Sequence, residues 1–456
     1  MNAVTEMEGS VRVHAGLVTT NTLIRQAGLI LLLAALLALT ATRANAATHR
    51  ISLVTAEKLA LENNREIKLA EQSKIAAGAS VMQARATMLP TISAQAGYTR
   101  NLKLPVIDAG PLGTFPVGTD NDYQFAVVGA QPIFLGFAGV TSYELAKTQK
   151  SHSELELRKK RHEILLGVRE AYLGAVLARS IVRVQTQAVA QAESTLVQVE
   201  RKHRAGQVSG FELLRSQVQL ANVKPNLVTA RSNVRLADAG LRLTIGIKSS
   251  DVVVPVDTLA EFASTWERKP LDELVGFAHE HRPDIQQLNQ RKHMATQGVT
   301  LARSTYYPMV MLTARNAWTG GATNDLDRSA AVGVSLSWTL WDSWKTQSTV
   351  QSARVSVKQS DIGEQLISDV AALEVESAWR RIREASENLK SGRTTVGQAT
   401  EALRLARVLY NNGSSTQLDV LNAQVGLTAS QTTYATRLYD YHVAHARLEK
   451  ALGVMQ

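Results

Sequence analysis

The chain has 456 residues, no cysteine and a formal net charge of +10. The missing cysteines exclude disulfides, thiolate metal sites, a cysteine nucleophile and a lipid-modified N-terminal cysteine. The cations are scattered along helical positions with no basic, aromatic-rich patch, which argues against a nucleic-acid partner.

Taken in chain order, residues 1–46 read as a signal peptide with an unusual N-terminal extension. Arg25 precedes an apolar run over 29–39, and Ala44-Asn45-Ala46 offers a small-residue cleavage site, so the mature chain is expected to begin near Ala47. The run is too short for a membrane-spanning helix, and no later run reaches ~18 apolar residues. Thr55 is a plausible N-cap for a helix running to Met88 and ended by Pro90. Ile92, Ala94, Ala96 and Tyr98 then alternate with polar residues, as a strand does. A Gly/Pro-rich loop over 103–122 leads to a second strand, with Phe125 and Val127 on one face, ending at Pro132. A helix of some sixty residues is expected over 143–204, a turn at Gly206 and Gly210, and a returning helix over 211–245, kinked at Pro225 and ended by Gly246. The linker 247–270 has no clear period.

The plan then repeats. Ile67, Val81, Arg85 and Pro90 match Ile285, Val299, Arg303 and Pro308 at an offset of 218. After the loop the offset is 207: Gly206 matches Gly413, and Gln217-Val218 matches Gln424-Val425. One length change confined to a loop is how a duplicated unit behaves. The expected organisation is a first repeat over 47–246, the linker over 247–270 and a second repeat over 271–456.

Each long helix carries a heptad seam. In the first, Ile164, Val168, Ala171, Ala175, Ala178, Val182, Val189, Ala192, Leu196 and Val199 recur at 3-4 spacing, with Gln185 the one polar member. Its counterpart runs from Ala371 through Val375, Ile382 and Leu389 to Ala406. Such seams want neighbours, and their many alanines permit close helix approach. The fourth strand places Val332, Val334, Leu336, Trp338 and Leu340 on one face, with Trp318, Trp341 and Trp344 nearby. One-sided strands with aromatic flanks suit an outer-membrane barrel, although a soluble two-sheet core shares the pattern. Four strands cannot close in a membrane, so barrel and seams both ask for oligomerisation.

The chain resembles the TolC family of outer-membrane efflux and secretion channels over about residues 52–453. The features that carry this are Ala84-Arg85 and Leu89-Pro90 before a strand, their echo Ala302-Arg303 and Tyr307-Pro308, the glycine turns at Gly206 and Gly413, and the run Thr416-Gln417-Leu418-Asp419-Val420-Leu421-Asn422-Ala423. The resemblance implies a mainly α fold with a membrane β-barrel part: a homotrimer whose α-helical barrel joins a 12-stranded β-barrel, four strands per protomer. It implies outer-membrane lipid around the strands, helices in the periplasm, and docking of a periplasmic adaptor (membrane fusion) protein and an inner-membrane transporter, with no cofactor. Asp419 matches a pore-ring aspartate, and Asn422 stands where a second aspartate is frequent. Tyr410 and Glu212 match a tip-closing tyrosine and its acidic partner, while Ser415 replaces a locking arginine. A ring of carboxylates would favour cations.

An enzyme reading finds little support. The histidines are dispersed, with His152 and His162 expected on solvated helix faces, and no phosphate loop or nucleophile elbow is present. The basic run Arg201-Lys202-His203-Arg204 suits a helix C-terminus by its dipole and, less directly, an acidic docking partner. A soluble periplasmic coiled-coil scaffold, the outer-membrane component of type I protein secretion and a stand-alone porin are the rival readings.

Overall fold

The computed structural model describes residues 48–108, 110–248, 251–322 and 325–455. The expected signal peptide, with Arg25, the apolar run, the cleavage motif and Ala47, lies outside these residues. Met1–His49 with Lys248–Val252 group apart, while Arg50–Ile247 and Val253–Gln456 form one compact unit.

This larger unit contains one plan twice. Helices α1 (Leu53–Asn63) and α2 (Arg65–Ala86) lead into strands β1 (Thr91–Arg100) and β2 (Asn121–Leu135), then helices α3 (Ala138–Arg204) and α4 (Gly210–Ile245). The second copy is α5 (Leu271–His281), α6 (Pro283–Arg303), β3 (Met309–Ala322), β4 (Asp325–Ser337), α7 (Lys345–Asn411) and α8 (Gln417–Leu452). Every helix start obeys the offsets read from the sequence. Both long helices have 67 residues, about 100 Å at ~1.5 Å per residue. No helix among the described residues is long and apolar enough to cross a membrane.

Several expected boundaries move. The first helix is capped by Ser52, whose hydroxyl accepts from the Thr55 N–H, and it breaks at Asn64, which the 3.6-residue period conceals. Asn64 caps α2 by accepting from the Glu66 and Ile67 N–H groups, and its amide donates to the Thr244 carbonyl at 2.8 Å. Its repeat counterpart, Arg282, reaches the equivalent Ala451 carbonyl at 3.2 Å, so both breaks hold the end of a returning helix. There Gly246 and Gly453, at φ +83° and +76°, lie so close to the break that an added Cβ would sit 2.8 Å from the Asn63 carbonyl oxygen or the His281 backbone. α3 begins at Ala138, five residues before expectation, and α4 continues through Pro225. The loop over 103–122 contains a small hairpin, Val106–Asp108 against Thr114–Pro116. β2 runs past Pro132 to Leu135 through an irregularity at Ile133, and β4 stops before Trp338 and Leu340.

The heptad seams do not wait for another chain. Ile164, Val168 and Ala175 are buried with Leu241 and Ile245 of α4 and with Ala56, Ala60 and Ile67. Val375, Ala378, Ile382, Ala385 and Leu389 are buried with Leu438, Tyr441, Ala444 and Leu448 of α8. Each seam is therefore covered by its own returning helix, which corrects the expectation that it calls for oligomerisation. A different stripe stays open: Leu214, Val218, Val228, Leu236 and Leu243 on α4, and Ile362, Leu366 and Leu373 on α7. His162 is also corrected: it is buried, and burial, then the Arg158 charge, push its pKa down.

The linker straps the two repeats. Asp257 accepts from the Tyr172 hydroxyl at 2.7 Å and the Leu53 N–H at 2.9 Å, and Leu259 packs on both cores. Further on, the Ser264 N–H donates to the Tyr441 hydroxyl at 3.1 Å.

The four long strands form one antiparallel sheet in the order β1-β2-β3-β4, with β1 and β4 at its edges. The strand-to-helix junctions are alike in both repeats. Gly136 and Phe137 have φ +59° and +72°, and their counterparts Ser343 and Trp344 have +54° and +66°. At Gly136 a Cβ would meet the Ser304 carbonyl oxygen at 2.4 Å, so glycine is required there.

Candidate functional site

Two places carry functional character: the sheet and the far turns of the long helices. Cross-strand partners share a face, so register sorts the sheet residues. Ile92, Ala94 and Ala96 pair with Gly129, Val127 and Phe125, and Val310, Leu312 and Ala314 pair with Leu336, Val334 and Val332. The opposite face carries Ser93, Gln95, Thr99, Thr313, Arg315, Ser329 and Ser335. On the apolar face Ile92, Val332, Val334 and Leu336 are between 65% and 81% exposed, far more apolar surface than water tolerates in a finished structure. Gln131 falls on this face by register, yet its amide donates to the Met88 and Pro132 carbonyls.

Aromatic rings mark both ends of the apolar band. Toward the hairpin loops, Tyr98 packs on Tyr123 at 5.0 Å and Phe125 on Trp318 at 5.3 Å between centroids. Toward the helices, Phe137 contacts Phe134 and Tyr307, each at 5.2 Å, Trp341 contacts Trp344 at 4.8 Å, and the Trp338 indole donates to the Tyr306 carbonyl at 3.1 Å. From Phe125 to Phe134 the chain rises roughly 30 Å at ~3.3 Å per residue, less when tilted. An apolar band between two aromatic girdles is what a lipid bilayer selects on a strand sheet.

At the far end, α3 and α7 stop in matching turns. Gly206 and Gly413 adopt φ +70° and +75°, and Gln207 and Ser414 return their N–H groups to the Lys202 and Leu409 carbonyls, each at 2.9 Å. The turns deliver Ser209 and Thr416 as N-caps of α4 and α8. Across the gap between the two hairpins, the Tyr410 hydroxyl donates to Glu212 Oε2 at 3.4 Å, and the Lys202 ammonium lies 4.1 Å from the Tyr410 ring centre. Burial, then Glu212, push the Tyr410 pKa up. Gln417, 1% exposed, donates to the Ser216 hydroxyl, and Gln424 donates to the Thr195 hydroxyl at 2.9 Å. The structure thus brings Tyr410 and Glu212 together within one chain. As tip contacts, Gln417, Gln424 and Lys202 escape sequence reasoning. Each lies in a stretch the sequence singles out for another reason: Gln424 aligns with Gln217, Gln417 sits in the run 416–423 and Lys202 in the basic run 201–204.

Asp419 and Asn422 are three residues apart on an exposed face of α8. Asp419 is also the third residue of a capping box. Its Oδ2 accepts from the Thr416 N–H at 2.9 Å, the Thr416 hydroxyl at 2.7 Å and the Ser415 hydroxyl at 2.8 Å. Thr416, then Ser415, hold its carboxyl below the usual range. Ser415 therefore steadies the aspartate and not the tyrosine.

Residues 56–247 and 274–454 match the family model described as outer membrane efflux protein. Among similar curated proteins, the toluene efflux pump outer membrane protein TtgI of Pseudomonas putida is 26% identical over 430 residues, 88% of this chain and 85% of its own. The alkaline protease secretion protein AprF of Pseudomonas aeruginosa is 22% identical over 419 residues, 89% and 85% respectively. Among solved structures, CusC superposes with a TM-score of 0.75 at 17% identity over 91% of this chain and 95% of that one. The outer membrane protein VceC of Vibrio cholerae gives 0.75 at 18% identity over 88% and 96%.

Proposed function

Because the chain belongs to the outer membrane efflux protein family, we propose that it is the exit duct of a tripartite pump, taking substrates from an inner-membrane transporter and a periplasmic adaptor to the outside. It is an outer-membrane channel protein with its helices in the periplasm. The observation that carries this reading is the sheet: one face largely apolar and exposed between aromatic girdles, with Gln131, Asn316 and Arg328 its exceptions, and the other mixing polar residues with small ones. A soluble scaffold has no use for such a face.

Assembly follows from the edges. β1 and β4 present unpaired backbone, which in hydrocarbon costs several kcal/mol per group. Three copies joined edge to edge supply twelve strands, and the open stripes on α4 and α7 find partners in the same association. In that homotrimer three Asp419 carboxylates ring the tip with Asn422 beside them, and each Tyr410–Glu212 contact helps to hold it shut. Negative-stain imaging and single-channel recording of the detergent-extracted protein test this. A threefold particle with cation-preferring conductance is expected; a monomer without conductance overturns it. The likeness to AprF favours a second reading, type I protein secretion. Deletion followed by toxicant susceptibility and secreted-protein profiling separates the two cargos.

A further inference from the structure

A cavity of about 820 Å³ lies where the linker crosses α7 and α8, lined among others by Ser264, Arg268, Lys269, Trp379, Arg383 and Tyr441. Its wall holds five cations, Arg268, Lys269, Arg383, Lys390 and Arg393, against two carboxylates, Glu261 and Glu267. Three of the cations have acidic partners: Lys269 with Glu273, Lys390 with Glu387 at 2.8 Å and Arg393 with Glu261 at 3.4 Å. Glu261 is further engaged by the Tyr434 hydroxyl at 2.6 Å. Arg268 and Arg383 have no ion-pair partner among the described residues; Arg383 lies over the Trp379 ring at 4.7 Å. Glu387 lies close enough to feel the Arg383 charge but bonds Lys390 instead; guanidinium groups with no bonded carboxylate at a concave surface are suited to bidentate oxyanion binding.

The repeat supplies a second, independent observation. Trp379 is the counterpart of Tyr172 at the offset of 207. In the first repeat the Tyr172 hydroxyl is fully engaged, donating to Asp257 at 2.7 Å and lying 3.0 Å from the Ile51 carbonyl. In the second, the Trp379 indole N–H is buried with no acceptor, and so is the hydroxyl of Ser264, which is 4% exposed. Buried donors without acceptors are costly and rare. Both residues line the cavity; their orphaned atoms lie just beneath its surface, and a small side-chain shift on binding would let an oxyanion supply the acceptor that Asp257 supplies to Tyr172.

We propose that this cavity is a binding site for a small multivalent oxyanion, carrying carboxylate or phosphate groups, held by Arg268 and Arg383. Its volume admits a molecule larger than a simple inorganic ion. The test is titration calorimetry on the full-length, detergent-extracted protein with citrate and with pyrophosphate, at ionic strength held constant with sodium chloride. At least one probe should bind, and the Arg268→Ala/Arg383→Ala double variant should weaken it at least tenfold. Arg404→Ala, which removes a surface cation paired with Glu401 far from the cavity, should leave it unchanged. Preference for citrate identifies a carboxylate ligand and preference for pyrophosphate a phosphate ligand. Absence of binding by both probes, or equal binding by the double variant and the parent, overturns the site. Size and single-channel conductance of the double variant, measured alongside, report folding and the channel reading separately.

Discussion

The two repeats meet at the β2–β3 strand pair, where α3 lies against α6, and at two places further along the helices; these last two are built from different chemistry. Midway along the long helices, Arg169 of α3 bonds both Glu57 of α1 and Glu449 of α8, all three largely buried, and Arg447 pairs with Glu170 at 2.8 Å beside an apolar cluster of Leu165, Ala446 and Met455. At the tip the repeats touch through Tyr410 and Glu212, Gln417 and Ser216, and Gln424 and Thr195, and no ion pair joins them there among the described residues. Buried charges that lose a partner are left stranded at large cost, whereas the tip bonds, one of them to the Glu212 carboxylate, can be exchanged for bonds to water once the contact opens. The middle is therefore a clamp, and the tip is a contact that can part without unfolding the chain.

The sharpest way to break this contrast is Arg169→Ala. It strands Glu57 and Glu449, and we expect a loss of about 3–5 kcal/mol in thermal unfolding of the detergent-extracted protein. Adding Glu57→Gln and Glu449→Gln should recover part of it; no loss from Arg169→Ala alone would refute the clamp. Glycine replacement probes the same difference through the backbone. Gly453→Ala places a Cβ 2.8 Å from the His281 backbone, while Gly413→Ala meets open space. Gly453→Ala should cost several times the ~1 kcal/mol of left-handed strain expected at Gly413.

The tip should respond in conductance more than in stability. Tyr410→Phe removes one long hydrogen bond to a carboxylate, so unfolding should shift by no more than about 1.5–3 kcal/mol, less than the Arg169→Ala loss, while mean open conductance rises. Unchanged conductance would count against Tyr410 as a closing contact. Its pH response has a definite sign. The folded pKa is raised, so the contact is intact below the ordinary tyrosine value near 10 and weakens only as pH climbs through the higher folded value. Neutral or mildly alkaline pH alone should not open the tip. The smallest effect belongs to Asp419→Asn. It keeps an oxygen acceptor for the capping box but removes the charge, so block by divalent cations should weaken with little change in unfolding. If Asp419→Asn and the parent are blocked equally, the aspartate serves only its helix.

Much of the architecture can be read from residues because it is periodic and duplicated. Two copies with matching glycines and prolines locate every long helix and strand, and the alternation at Val332, Val334 and Leu336 identifies the face that is exposed. The period fails where a local cap overrules it. Asn64 splits a helix whose apolar spacing runs on unbroken, whereas Pro283 marks the same split openly in the second copy. Nor can the period say which helix covers a seam, since spacing along one helix carries no information about its neighbour. For that reason the seams point to other chains in the sequence, when α4 and α8 already fill them. The tip is the least legible part. Tyr410 and Glu212 come from a resemblance, and the buried glutamines look like surface residues until a second hairpin lies across them.

The paired left-handed residues at the strand-to-helix junctions have a mechanical consequence. Phe137, Ser343 and Trp344 each hold a conformation costing about 1–2 kcal/mol, and one Cβ of space at Gly136 would close its junction. Such a joint has one narrow torsional setting and little free play on either side. It is expected to act as a keyed coupling, so that any rotation of a long helix would be passed to the strand as torque. With the root keyed and the middle clamped, the compliance of each hairpin is concentrated at its free end, as in a reed fixed in its socket.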